Sequence, residues 1–455
     1  MSKTVDVGQI LDEGRWTGYQ KLLIAGAALT IILDGMDNQL LPNAVPALMK
    51  EWDLPRTAFA TALRVGPLGM MVGGALGGIL GDRIGRRTTL LLSAIVFGFI
   101  TLAIAFVGDT STLTVLRFLA GVGLGGAMPN AAALASEYVP LRNRPFAVTL
   151  TIVCIPLGGS IAGQLAAAII GPYGWRTLFI VGGIIPLVLA AILFKALPES
   201  PRFLAVRRDR WPDLQRILRR IGHEVPSDAE FIDSATRGVT GKPKASIGDL
   251  FRPAFRWDTI GLFGAFFFCL MANYIGFQLL PVVMTGLGFT AAQGAQANSV
   301  FNFGGVGGAI LGAIVIRRVG SRIAMLGMSA LAVVSALVIA ANPPHPSALL
   351  LGLVMLTIVG GLLNAVQTTM YALAAHVYPT EIRGTGVGTA VAVGRIGNAL
   401  AVDVGNYALD LGGAPVYCAS WAVTMTLVLI SLAVVRRHIA PTAPAPALAP
   451  ATARQ

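Results

Sequence analysis

Runs of apolar residues long enough to form helices, separated by short polar turns, recur along the chain from around Tyr19 to around Val435. A helix crossing the hydrocarbon core of a bilayer needs about 20 such residues, so the pattern predicts membrane spans. Barrel strands would show as short segments of alternating hydrophobicity, which this chain lacks. The apolar windows place spans near 19–44, 58–80, 88–107, 112–135, 146–169 and 174–196. After a long polar stretch, further spans lie near 257–284, 291–316, 321–341, 347–375, 385–409 and 414–435. The expected fold class is an all-α membrane protein, with twelve transmembrane helices in two pseudo-symmetric six-helix bundles over 19–197 and 257–437. An N-terminal segment (1–18), a linker (198–256) and a disordered Pro- and Ala-rich tail (438–455) complete the expected organisation.

Composition agrees with this pattern. Of 455 residues, 55% are hydrophobic and 12% charged, which excludes a water-soluble domain of ordinary composition. The net charge of +12 does not indicate nucleic-acid binding, because the basic residues fall in particular loops. The linker carries Arg202, Arg207, Arg208, Arg210, Arg216, Arg219, Arg220, Arg237, Lys242 and Lys244. Arg142 and Arg144 follow the fourth span, Arg317, Arg318 and Arg322 the eighth, and Arg436 and Arg437 the last. The alternate loops are nearly uncharged or balanced. By the positive-inside rule the linker and both termini face the cytoplasm. Cys154, Cys269 and Cys418 are widely spaced inside apolar runs and predict neither a disulfide nor a metal site. No cofactor is implied. The N-terminus has no apolar core closed by a cleavage site, so the first span is expected to be a mature helix.

The two halves repeat. GILGDRIGRR at Gly78 to Arg87 corresponds to AIVIRRVGSR at Ala313 to Arg322, pairing Gly85 with Gly320. ASEYVPLRNR after the fourth span corresponds to AAHVYPTEIR after the tenth, pairing Pro140 with Pro379 and Arg144 with Arg383. Arg317 stands where the first copy has an acid, so the second copy departs from the pattern.

The run Gly78-x-Leu80-Gly81-Asp82-Arg83-x-Gly85-Arg86-Arg87 resembles the loop signature of the major facilitator superfamily, and the resemblance covers essentially the whole chain. Two further stretches, LDGMDNQ at Leu33 to Gln39 and RFLAGVGLGGAMPNAAALASEY at Arg117 to Tyr138, are similar to the aromatic acid:proton symporters. The resemblance implies a monomeric carrier in the inner membrane, importing a small organic anion such as a hydroxybenzoate with protons by alternating access. The alternatives are an exporter of the same fold and, from another class, a membrane sensor or membrane-bound enzyme. Cys154 to Gly159 matches an antiporter motif only in part, and the linker has no nucleophile–base or metal pattern.

A charge held in the bilayer centre costs at least about 2.5–3.5 kcal/mol, so charges kept there are the functional candidates. Asp34 and Asp37 share one helix face, about 5–6 Å apart at Cβ. Two carboxylates so placed resist joint ionisation, and the pair is a candidate proton site. The competing role is pairing with arginines that hold helices together. Arg117 precedes Gly121, Gly123 and Gly125; it can serve the aspartates or the anion, or be a structural bridge. Arg395 is the second-half candidate for the substrate carboxylate, with Asn398 and Asp403 roughly on its face; the rival role is a local balance with Asp403. Arg64 is expected to snorkel to the outer interface, the alternative role being to attract an entering anion. Asn273, Tyr274, Phe277, Gln278, Asn298, Phe301, Asn302, Asn364 and Gln367 supply flat walls and polar groups for an aromatic ring, although an aromatic taken singly is more often a packing residue than a ligand contact. Gly78, Asp82, Arg83, Gly85, Arg86, Arg87 and Arg383 are read as gate or latch residues. Glu137 is grouped with the proton-coupling residues and, like Arg383, is also read as a gate or latch residue, the alternative for both being an ordinary interfacial charge.

Overall fold

The computed structural model describes residues 4–226, 229–233 and 246–441. Tail residues 442–455, and the linker positions of Arg237, Lys242 and Lys244, lie outside the described residues.

Ten of the described helices are long and apolar enough to cross a membrane. Two of these are double. Arg144–Ala196 turns at Gly174, whose φ is 80°, and Thr380–Val434 turns at Gly412 and Gly413. Among the described residues the chain therefore makes the twelve crossings expected. The first span runs Gly18–Trp52, longer than its apolar window, because Thr17 and Gln20 cap each other at the start and the helix continues through Pro42 and Pro46. The second is Ala60–Ile84 and the third Arg86–Ile104. The fourth combines Thr110–Gly125 and Ala127–Tyr138. Asp109 caps its start, and the Thr112 amide holds that exposed carboxyl below its usual range. The second bundle begins with Arg256–Gly286, Ala291–Val319, Ser321–Ala341 and Leu349–Val377.

Lipid supplies no hydrophobic force to join apolar helices, so close packing and polar bonds must do so. The fourth-span glycines show how. A Cβ on Gly125 would stand 2.2 Å from the Met70 carbonyl, and one on Gly73 only 2.0 Å from that of Val122. The second and fourth spans thus touch backbone to backbone. Their counterparts, the eighth and tenth, do the same at Gly308 and Gly361. Outward faces remain apolar, as at Phe99, Ile323 and Leu350.

The repeat extends to backbone geometry. Gly85 and Gly320 both take positive φ, 107° and 82°, each ending one span and opening the next. Val139 and Tyr378, ahead of the paired prolines, have the same φ and ψ of −95° and 134°. Arg144 Nε then donates to the Ser136 carbonyl and Arg383 Nε to that of Tyr378.

The N-terminal segment and linker contain additional structure. Thr4–Asp6 pairs in parallel with Glu230–Ile232, and Val7–Glu13, Pro201–Ala205 and Trp211–Arg220 are short helices. Asp12 joins Arg144 and Arg202, tying these pieces to the first bundle.

Side-chain bonds between the halves lie toward the end opposite the arginine-rich loops. Arg56 pairs with Asp410 and Arg64 with Asp403, from the second span region to the eleventh. Asn298 Nδ2 donates to Gln39 Oε1 at 2.9 Å and Asn43 Oδ1 at 3.1 Å. Ser299 Oγ donates to the Ser160 carbonyl at 2.8 Å.

Candidate transport site

Asp34 lies sixteen residues into the first span, which is about 24 Å along it at 1.5 Å per residue and close to the bilayer centre. It lines a cavity built by both halves. The first half contributes Asp34, Asn38, Met70, Met128, Ile155 and Pro156; the second contributes Leu270, Tyr274, Phe277, Asn364, Gln367, Thr368, Tyr371 and Arg395. The described conformation leaves about 50 Å³ there for a water-sized sphere. An apolar cavity of ~150 Å³ takes up benzene, so a ring enters only if the walls move apart.

The two aspartates have different surroundings, although each is 1% exposed. Asp37 accepts from Arg117 Nη1 at 3.1 Å and from Thr101 Oγ1 at 2.7 Å, which binds the first, third and fourth spans together. Asp34 Oδ1, by contrast, has no hydrogen-bond partner. The charge acting on Asp34 from the other half is Arg395, which is also held by Tyr274 Oη at 3.4 Å. One carboxylate is thus fixed in the scaffold, and the other faces a cation across the cavity.

Several candidate residues sit elsewhere. Asn298 belongs to the clasp with Gln39 and Asn43, and Asn302 Nδ2 donates to the Asn298 carbonyl at 2.8 Å. Phe301 stacks on Trp421 at 5.7 Å and meets Phe277 edge-on at 5.6 Å, so it backs a cavity residue without lining the cavity. Asn273 donates to the Cys269 carbonyl, and Gln278 is buried outside the cavity. Asp403 pairs with Arg64 of the other half, which corrects the local balance with Arg395; Arg64 lies toward the end opposite the arginine-rich loops, held by that pair.

In the Gly78 to Arg87 loop, Asp82 pairs with Arg86 at 2.6 Å, and Arg86 lies 3.7 Å from Glu137. The Arg83 carbonyl accepts from Arg207, and the Arg87 amide donates to Glu199 at 2.9 Å. These contacts stay within the first bundle and linker. Glu137 therefore sits with the loop and away from the aspartates.

The sequence reading missed Asn38, Thr368 and Tyr371, for which a signal existed. Asn38 lies four residues after Asp34, and Tyr371 four after Gln367, each one turn along the same face. Gln39, Asn43 and Thr101 carried no comparable mark.

Two six-helix halves around a central polar cavity define a membrane transporter rather than an enzyme. The Major Facilitator Superfamily model matches residues 27–402, and the chain belongs to that family. It is 31% identical over 432 residues to a gallate transporter of Pseudomonas putida, covering 92% of this chain and 94% of that one. It is 31% identical over 428 residues to the 4-hydroxybenzoate transporter PcaK of Acinetobacter baylyi, covering 94% and 91%. Among solved structures, the xylose transporter XylE of E. coli in a partially occluded inward open conformation superposes with TM-score 0.69 at 18% identity, over 91% of this chain and 97% of that one.

Proposed function

We propose that the chain imports a small aromatic carboxylate with a proton, by alternating access of its halves around Asp34 and Arg395. The observation that carries this reading is the single unpartnered carboxylate facing a single guanidinium in the shared cavity. With Asp34 ionised, Arg395 is balanced and the empty carrier is neutral at its centre. A carboxylate arriving on Arg395 would leave two anions against one cation, and excess charge in the membrane centre is costly. A proton on Asp34 restores neutrality. Empty and doubly loaded carriers can then reorient, whereas a carrier holding the anion alone is held back, which is the condition for coupling.

One proton per monoanion moves no net charge, so the pH gradient supplies the drive. A second proton would be needed to draw on the membrane potential, at about 2.3 kcal/mol per charge per 100 mV. Phe277, Tyr371, Met70 and Met128 supply the apolar walls for a ring, and Asn38, Asn364 and Gln367 supply hydrogen bonds for ring substituents. The relatives that carry gallate and 4-hydroxybenzoate favour a hydroxylated benzoate as cargo.

The positive-inside rule puts the arginine-rich end and both termini in the cytoplasm. The Arg56–Asp410 and Arg64–Asp403 pairs and the Asn298 clasp then close the outer side. The Gly78 to Arg87 loop, Glu137 and Arg383 latch the inner side in the opposite state. One chain completes the cavity, so a monomer suffices for transport in the inner membrane. The test is uptake of labelled 4-hydroxybenzoate into proteoliposomes under an imposed inward proton gradient. Accumulation supports import; gradient-driven expulsion identifies an exporter and refutes the reading.

A further inference from the structure

At the arginine-rich end, where the third and sixth spans meet the linker helix Trp211–Arg220, a second cavity of about 250 Å³ opens to the surface. Arg87, Lys195, Arg210, Arg216 and Arg220 line it against only Glu199 and Asp213. The acids are already committed. Glu199 is buried and accepts from the Arg87 and Ser200 amides, and Asp213 is shared by Arg210 and Arg216. Among the described residues Lys195 has no carboxylate within ion-pair distance, and Arg87 Nε is buried with no hydrogen-bond partner. The cavity therefore holds uncompensated positive charge and an orphaned donor.

We propose that this cavity binds the phosphate of an anionic phospholipid. Phosphate is the chemistry that several guanidinium groups and an ammonium recognise. The apolar surface beside the cavity selects a lipid over a free anion. Ile184, Val188 and Ile192, exposed by 45%, 53% and 56%, form a strip at helical spacing on the sixth span that ends at Lys195, and Arg87 stacks on the neighbouring Phe194 at 5.2 Å. Acyl chains lie along the strip while the headgroup enters the cavity. The lipid bridges the linker helix to the bundle and steadies that junction.

The test is native mass spectrometry of the full chain released from nanodiscs of equal phosphatidylglycerol and phosphatidylcholine. Wild-type protein retains phosphatidylglycerol preferentially. Each basic residue near an anionic headgroup is worth about fivefold, so Lys195→Gln and Arg216→Gln each lower the preference about fivefold and the double variant about 25-fold. Both positions are exposed, and the single variants provide the reading if the double variant does not fold. The Arg142→Gln, Arg318→Gln pair, equal in charge but away from the cavity, keeps the wild-type preference. The proposal is overturned by no preference in wild type, by preference retained in the cavity variants, or by equal loss in the control pair. It is also overturned if inorganic phosphate displaces the lipid and stabilises the protein equally, which would make the site one for a soluble anion.

Discussion

Replacing Asp34 by Asn leaves the side chain nearly unchanged in size and fixes it in a neutral form, as if permanently protonated. In the mechanism above, Arg395 is then always free for a carboxylate, and no proton is exchanged when one binds or leaves. The anion-loaded variant is neutral and should exchange substrate across the membrane, whereas the empty variant keeps an uncompensated Arg395 and returns slowly, so net downhill flux falls and the link to the proton gradient disappears. The magnitude follows from the stoichiometry. A proton moving down one pH unit releases about 1.36 kcal/mol, so electroneutral one-to-one coupling supports a tenfold accumulation at equilibrium. Reconstituted wild-type protein, given labelled 4-hydroxybenzoate with the exterior one unit more acidic, should approach that ratio; the Asp34→Asn protein should stop near unity. Potassium-diffusion potentials of either sign should leave the wild-type ratio unchanged. Tenfold accumulation persisting in Asp34→Asn would refute the assignment, and a strong dependence on potential would refute the one-to-one count.

Asp37→Asn should act on stability, because it leaves the buried Arg117 guanidinium without its carboxylate. Breaking such a pair costs about 3–5 kcal/mol, readable as a lowered thermal-unfolding midpoint in detergent, and intact stability with lost coupling would count against the scaffold role. Gly85→Ala should be destabilising by at least about 1–2 kcal/mol from its backbone angle, and more because the new Cβ would meet Glu199 Oε2 at 2.2 Å; unfolding measurements matching wild type would contradict this. Removing the outer ion pairs with Arg56→Gln and Arg64→Gln should favour the outward-open state. Partly exposed pairs contribute about 0.2–1 kcal/mol each, so thiol labelling from outside of an Asn38→Cys reporter should rise severalfold. The native cysteines are all buried and give little background; unchanged labelling would show that the pairs do not hold the outer side closed.

The spans, the two halves and the repeat were legible because they rest on local signals: apolar length, loop charge and glycine punctuation. The pairing of Gly85 with Gly320 survives as a shared positive φ, since a tight turn between two helices constrains the residue wherever it occurs. The division of labour between Asp34 and Asp37 was less legible. Three residues turn a helix by about 300°, which leaves two side chains neighbours yet aims them some 60° apart, one at the cavity and one at Arg117. Which aspartate met which arginine depended on the crossing of the first, fourth and eleventh spans, and no local pattern encodes that. The same holds for Asn298, a cavity candidate by composition that the packing of the first span against the eighth turned into a clasp with Gln39 and Asn43. Arg64 and Asp403 are 339 positions apart in sequence, and only the approach of the second span to the eleventh brings them together.

Titration calorimetry of 4-hydroxybenzoate binding at mildly alkaline pH, where the empty carrier's carboxylates are ionised, repeated in buffers of different ionisation enthalpy, counts the protons taken up with each anion. The account predicts one proton per anion for the wild-type chain and none for Asp34→Asn. Anion binding without proton uptake in the wild type, or the same uptake in both proteins, would contradict it.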